Sequence, residues 1–174
     1  MTAPLTRPRD AQRGRVYRAE DAWAGRLDAA RRGAALATVG GSAVVLPAER
    51  RFGTLDSAAS YAARVLALPE VQAVAGTLTA PELRIRRGQR AAHWEPPGVI
   101  ALPMPTHGEP WALRESVLLH ELAHHLLSRG GVTAPHHAPF PAALLLLVGA
   151  ALGPEAALAL RVEYGRLDVE VGSL

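Results

Sequence analysis

The residues best suited to chemistry are the run His120 to His124, which reads His-Glu-Leu-Ala-His. Residues four apart lie on the same face of a helix, so His120 and His124 can direct two imidazole rings to one point. Zinc binds imidazole nitrogens at about 2.0–2.1 Å, and a helix fixes the separation of two such ligands. Glu121 lies one residue round the helix, where it can take a proton from a zinc-bound water as general base. The motif therefore predicts a zinc site with His120 and His124 as ligands and Glu121 as the catalytic residue.

A third ligand is needed, because a catalytic zinc usually has three protein ligands and one open position. The extended ligand pattern of the metzincin class is absent, since Leu127 and Gly130 stand where it requires glycine and histidine. The source of the third ligand must therefore lie elsewhere in the chain.

His136 and His137 are the strongest candidates for this third ligand. They stand in a loop just before the next predicted helix, and the Gly130-Gly131 pair allows the chain to turn back towards the motif. Spacing does not distinguish the two histidines. Glu155 and Glu163, on a following helix, remain as carboxylate alternatives.

The other histidines are not predicted to be ligands. His125 follows His124 directly and so points about 100° away on a helix, which favours a packing or supporting role. His93 and His107 belong to the strand region and the loop after it. Both are interpreted as surface or hydrogen-bonded histidines.

The motif lies in a predicted helix from Trp111 to Arg129, which has no helix breaker before Gly130. Apolar spacing, caps and prolines predict further elements on both sides. Helices are predicted over 10–32, after a Thr54 cap, from Pro141 to about Leu152, and from Pro154 to about Gly165, and strands over 42–46, 83–86, 91–95 and 99–102.

This order predicts an α+β fold, with a small mixed sheet, N-terminal helices and a helical C-terminal part that carries the motif. No repeat or linker divides the chain, so residues 1–174 are interpreted as a single minimal zincin-like domain. The strand from Val99 to Leu102 has two readings. It is either an edge strand that holds an extended substrate or an ordinary core strand.

Composition excludes several classes of protein. With no cysteine, the chain cannot form disulfides, thiolate metal sites, iron–sulfur clusters or a catalytic thiol. All 19 basic residues are arginine, and without lysine or cysteine a net charge of +3 persists to high pH, which inflates the pI of 10.1. Residues 1–32 contain eight arginines and four acidic residues, so a basic N-terminal face keeps nucleic-acid association open as an alternative.

The sequence gives no sign of targeting to a membrane. The N-terminal residues lack the apolar segment of a secretory signal. The longest apolar run, from Ala142 to Leu152, is shorter than the roughly 20 residues that cross a bilayer, so it is predicted to be a buried core helix. A cytoplasmic protein without a membrane partner is expected.

Five segments together resemble a family of small actinobacterial zinc metallohydrolases, and the resemblance covers nearly the whole chain. The His-Glu-x-x-His motif at their centre is shared with many zincins, including the SprT-like metallopeptidases. The segments are Arg9–Arg13, Val16–Tyr17, Ala19–Asp21, Arg87–His93 and Leu118–His125.

The resemblance implies that His136 is the third zinc ligand. In the SprT-like group this ligand begins a His-Gly-x-x-Phe segment, which matches His136 to Phe140 here, with His137 in place of the glycine. Phe140 would then pack beneath the loop. The SprT-like zinc ribbon is absent because the chain has no cysteine, so the DNA-linked roles of that group are not expected.

These observations predict a zinc-dependent hydrolase, with Zn²⁺ bound by His120, His124 and His136. The expected substrate is a peptide or protein, and no nucleic-acid partner is expected. The first alternative is a zinc-binding regulatory module with little or no turnover. The second is a basic protein associated with nucleic acid. The sequence predicts no oligomeric state.

Overall fold

The structure, a computed structural model, describes residues 10–86, 91–103, 111–128 and 135–174. The described residues form six helices and five strands, so the fold is α+β, as predicted. In chain order the elements are α1 (Arg13–Arg31), β1 (Leu36–Val39), β2 (Ser42–Val45), α2 (Leu55–Leu66), α3 (Pro69–Ala75), β3 (Glu82–Arg86), β4 (His93–Glu95), β5 (Val99–Pro103), α4 (Glu115–Leu127), α5 (Pro139–Leu152) and α6 (Pro154–Arg166).

Helix α1 is amphipathic and packs one apolar face against α6. Its buried residues recur every three or four positions, as a helix of 3.6 residues per turn requires. The indole of Trp23, on this face, donates a 3.0 Å hydrogen bond to the carbonyl oxygen of Ala156 in α6. This contact joins the two ends of the chain.

Two small sheets follow α1. Strands β1 and β2 form an antiparallel hairpin, and Gly40 and Gly41 supply the positive φ angles that its two-residue turn needs. The second sheet has the order β3-β5-β4, with β3 parallel and β4 antiparallel to β5. It is the small mixed sheet that the sequence predicts.

Strand β5, predicted from Val99 to Leu102, lies in the middle of this sheet. Its residues Ile100, Ala101 and Leu102 are fully buried, so the core-strand reading is correct and the edge-strand reading is wrong. The edge of the sheet beside the motif helix is β4. Periodicity could not show this, because strand order is a tertiary property.

Helix α4, which carries the motif, begins at Glu115 rather than at Trp111. Arg114 is extended and forms a β-bridge with Arg51, which prevents an earlier start. The carboxylate of Glu49 accepts the N–H of Ser116 at 2.9 Å and also its hydroxyl hydrogen. A side chain from a distant segment therefore caps this helix.

Helices α5 and α6 complete the core behind α4. The predicted apolar run forms α5, where Leu144, Leu147 and Val148 are buried. After α6 the chain returns to the start of α5, where the N–H of Gly172 donates to the carbonyl of Ala138 at 2.8 Å. Among the described ranges, no helix has the length and apolar character needed to cross a bilayer.

Two elements were not predicted. Strand β1 is short, and Leu36 at its start is exposed, so it gives no pattern of burial. The second is α3, where Pro69 occupies the first turn of the helix. Proline is common both just after a helix and in the first turn of one, so Pro69 alone does not predict a new helix. Thr54 caps α2 as predicted, through a capping box with Ser57.

Candidate metal centre

Three histidines converge in the interior of the protein. His120 and His124 lie on α4 and His136 in the loop before α5, and each is at most 6% exposed. One ring nitrogen of each lies within 4.8 Å of the other two. The structure thus brings together the two motif histidines and the one that the family resemblance implies.

The distance between ring nitrogens fits a shared metal ion. The Nε2 atoms of His120 and His136 are 3.4 Å apart. Two nitrogens at about 2.0–2.1 Å from a tetrahedral metal ion would lie about 3.3–3.4 Å apart. These three histidines are therefore close enough to bind one metal ion.

Two carboxylates from the N-terminal part of the chain orient these rings. Glu20 Oε2 lies 2.7 Å from Nδ1 of His120, and Asp10 Oδ2 lies 2.7 Å from Nδ1 of His136. Because an ionised carboxylate only accepts hydrogen bonds, each Nδ1 carries the proton. The lone pair on each Nε2 then faces the point where the rings converge, as in carboxylate–histidine–metal sites.

Burial and the neighbouring carboxylates have opposite effects on the pKa values of His120 and His136. Burial lowers the pKa of His120, but the charge and hydrogen bond of Glu20, together with the charge of Glu121, leave the pKa raised. For His136 burial dominates over Asp10, so its pKa is lowered. A lowered pKa keeps His136 in the neutral form that binds metal ions.

Aromatic rings hold the three histidines in place. Phe140 is fully buried, and its ring centroid lies 4.8, 4.5 and 4.6 Å from those of His120, His124 and His136. It packs against the ligand loop, as the resemblance implies. Tyr17 stacks on His120, with the ring centroids 5.3 Å apart, and lies 5.1 Å from His136.

Glu121 is the buried carboxylate beside this cluster. It is 3% exposed, and burial is the main cause that raises its pKa. A backbone hydrogen bond from Trp94 in β4 and the charges of His120 and His93 act in the opposite direction and lower the pKa. Its Oε2 is buried and has no hydrogen-bond partner within the part of the chain that the structure describes. A buried acceptor without a partner is costly, and a proton donor at that atom would remove the cost.

The other candidates for the third ligand lie apart from the cluster. His137, next to His136, does not belong to the group of converging nitrogens. Glu155 is exposed at the start of α6. Glu163 is buried but binds Arg26, with a nitrogen–oxygen distance of 2.7 Å.

His125 has a supporting position, in line with its predicted direction. Its Nδ1 accepts a 3.0 Å hydrogen bond from the Trp94 indole, and its Nε2 donates to the carbonyl of Thr79 at 2.8 Å. The ring ties α4 to β4 and to the segment before β3. His93 binds Glu95 and Arg86 on the surface of the sheet. His107 and the Gly130-Gly131 pair lie outside the described residues.

Sequence spacing missed the groups that orient the cluster. Asp10 and Glu20 fall within segments that carry the family resemblance, but nothing in their spacing connects them with histidines over 100 residues later. One signal was present on α1. Arg13, Tyr17 and Glu20 lie on one face of that helix, at intervals of four and three residues. This polar face is the one that meets the histidines.

A cavity of about 230 Å³ opens beside the cluster. His120 and Glu121 form part of its wall, together with residues of α1 and the start of α4. The candidate metal site therefore borders an open space and is not sealed within the core.

Comparison of the chain with known protein families, curated proteins and solved structures gave no match.

Proposed function

We propose that the protein is a zinc-dependent hydrolase of the zincin type, and that it cleaves peptides. The observation that carries the proposal is the arrangement of Glu121 beside three convergent histidines at the wall of a cavity. A structural metal site needs ligands but no buried base. A hydrolytic site needs both, together with access for a substrate.

Zinc is proposed because the ligand set consists of imidazoles. Three histidines with a remaining open position are a typical catalytic zinc arrangement, whereas magnesium and calcium prefer oxygen ligands. When bound, zinc polarises a carbonyl group and lowers the pKa of water. His120, His124 and His136 would hold it. His120 and His136 would bind through Nε2, because their Nδ1 atoms are bonded to carboxylates.

Glu121 would act as the proton carrier. Its Oε2 has no partner in the described part of the structure, so it can accept the proton of the attacking water. Burial raises its pKa and makes the carboxylate more basic than an exposed one. The same oxygen can then give the proton to the leaving amine. The backbone hydrogen bond from Trp94 favours the charged carboxylate and so acts against the effect of burial on the pKa.

A peptide substrate is proposed because β4 offers an edge next to Glu121. Among the described residues β4 pairs with β5 alone, and its Trp94 backbone affects the pKa of Glu121 through a hydrogen bond. An extended peptide can add to such an edge through main-chain hydrogen bonds. Binding of an extended substrate was one of the two interpretations of the strand over 99–102, and we now propose it for the neighbouring strand β4. The resemblance to zinc metallohydrolases supports the same class of reaction.

The test combines metal analysis with proteomic substrate profiling. The wild-type protein, purified without chelator, should contain about one zinc per chain, and His120→Ala/His124→Ala should lose it. Glu121→Gln should keep the metal and lose about 10²–10⁴-fold in turnover, because the amide cannot accept the proton. The exposed Glu155→Gln is the matched control and should behave as wild type.

Two outcomes would contradict the proposal. Retention of zinc by the His120→Ala/His124→Ala variant would show that the metal is bound elsewhere. Zinc bound by wild type, with no cleavage that depends on Glu121, would favour the regulatory zinc module instead.

A further inference from the structure

The cavity beside Glu121 has walls that are largely aromatic and apolar. Tyr17, Trp23 and Trp111 contribute three aromatic side chains, and Ala24 and Val117 contribute smaller apolar surfaces. These residues come from α1 and from the segment around the start of α4. Such a wall favours an apolar ligand, because burying aromatic surface is strongly favourable.

Three polar side chains of the wall, those of Glu20, Arg114 and Ser116, are already engaged by the protein. Glu20 binds His120 and accepts the hydroxyl hydrogen of Tyr164 at 3.2 Å. Arg114 binds Glu49 at 2.7 Å and Asp28 at 3.1 Å. The Ser116 hydroxyl donates to Glu49. A polar ligand group inside the cavity would have to compete with these bonds, whereas an apolar group would leave them in place.

Two carboxylates of the wall differ from Glu20: Glu121, the proposed base, whose Oε2 has no partner among the described residues, and Asp21. Asp21 is exposed on α1, and within the described residues no ion pair or hydrogen bond is found for its side chain. Its exposure places it at the solvent side of the cavity and not in its depth. An exposed carboxylate attracts a cation only weakly. The interior wall therefore outweighs it in deciding what binds.

The volume of the cavity suits one side chain. About 230 Å³ is below the range of about 300–1,000 Å³ that holds drug-sized ligands. With about 30 Å³ for each water in the liquid, this space corresponds to about eight waters. A phenyl or indole side chain has a similar number of heavy atoms.

From this wall, volume and position we propose that the cavity is a specificity pocket for one bulky apolar side chain of the substrate, preferably aromatic, next to the bond that is cleaved. The inference rests on the proposed function and adds the class of residue that the site selects. Ala24 and Val117 both line this pocket, so a larger side chain at either position would reduce its volume.

Binding of simple metal-chelating probes tests the pocket without turnover. The probes are N-acetyl hydroxamates of glycine, phenylalanine and arginine, titrated against the zinc-loaded full chain. The phenylalanine compound should bind about 10- to 100-fold more tightly than the glycine compound, the gain expected from burying one aromatic side chain. The arginine compound should gain no more than about threefold over glycine, the scale of an exposed ion pair.

Ala24→Phe should fill the pocket. It should remove the advantage of phenylalanine, while zinc content and the affinity for the glycine compound stay as in wild type. Ala22→Phe is the matched control, because Ala22 is exposed on the same helix and does not line the cavity. Ala24→Leu gives a smaller filling if the phenylalanine variant does not fold.

The outcomes separate the pocket from the proposed function. Glycine and phenylalanine compounds of equal affinity, or an advantage that survives in a folded Ala24 variant, would overturn the pocket alone. Tighter binding of arginine than of phenylalanine would overturn it in favour of a cationic side chain near Asp21. Failure of every hydroxamate, glycine included, would overturn the proposed function and the pocket with it.

Discussion

Glu20 and His120 are 100 positions apart in the chain, yet Oε2 of the one lies 2.7 Å from Nδ1 of the other. The pair joins α1 to the motif helix α4 and sets the orientation of the His120 ring towards the other two histidines. Without Glu20 the imidazole could bind or release its proton at either nitrogen. The fixed proton on Nδ1 makes Nε2 the nitrogen that meets the other two rings.

Glu20→Gln should weaken metal binding. The amide keeps the shape of the carboxylate but loses the charge that supports the ring, and loss of such a partner typically costs about 10–100-fold in metal affinity. Competition with a chromogenic zinc chelator measures this. Asp21→Asn is the matched control, since Asp21 is the next residue on α1 and is exposed. Equal affinities in the two variants would contradict the role of Glu20.

The adjacent histidines before α5 should differ sharply in metal binding. His136 lies in the cluster, and its Nδ1 donates a hydrogen bond to Asp10. His137 belongs to no group of converging ligand atoms in the described residues. His136→Ala should release zinc to a chelator at far lower chelator concentration than wild type. His137→Ala should retain it. Easier loss from His137→Ala would show that the loop binds the metal in another register.

The C-terminal tail should help to hold the loop that carries His136. Gly172 donates to the Ala138 carbonyl at 2.8 Å, and a Cβ added at Gly172 would lie 3.0 Å from the Cβ of Ala138 and 3.1 Å from its carbonyl carbon. Gly172→Ala should therefore lower the free energy of unfolding by about 1–3 kcal/mol, the usual cost of overpacking. Urea denaturation measures it.

Gly165→Ala provides the control for this substitution. Gly165 lies in α6, where an added Cβ would meet no atom within 4 Å. Alanine in a helix should raise stability there by about 0.5–1 kcal/mol. Opposite signs in the two variants are expected. A Gly172→Ala protein as stable as wild type would show that the tail does not press on the loop.

Much of the fold could be predicted because the signals are local. The motif helix, the Thr54 cap and the prolines at the helix starts depend on neighbours within a few residues. The start of α4 could not be predicted, because it depends on Glu49 and on the bridge from Arg51 to Arg114. The place of β5 in the middle of its sheet is likewise set by pairing between segments.

The same limit applies to the candidate site. The spacing of His120 and His124 predicts their shared direction, since the helix period determines it. The assignment of His136 as the third ligand depended on the family resemblance. A loop has no regular period from which the direction of its side chains could be predicted. Asp10 and Glu20 could not be assigned at all. Their contacts with the histidines span 126 and 100 residues, so only the packing of α1 against the C-terminal part creates them.

The two buried tyrosines should make the fold sensitive to alkali. Burial, together with Glu115 for Tyr61 and Glu20 for Tyr164, raises both pKa values above the ordinary 10.0. Above about pH 10 the unfolded chain loses protons that the folded protein keeps, so the free energy of unfolding falls as pH rises. The stabilisation is complete below that pH. The expected slope is about 1.4 kcal/mol per pH unit for each tyrosine, or about 2.7 for both.

Tyrosinate absorbance and circular dichroism, followed together from pH 8 to 13, test this effect. Without lysine or cysteine in the chain, no side chain other than its three tyrosines titrates near pH 10. The absorbance of two tyrosinates should appear only as the helical signal disappears, while half-buried Tyr17 can ionise separately. Tyr61→Phe should reduce the dependence of stability on pH by about half, since one of two coupled protons is removed. Ionisation of both buried tyrosines with the helices intact would contradict the prediction.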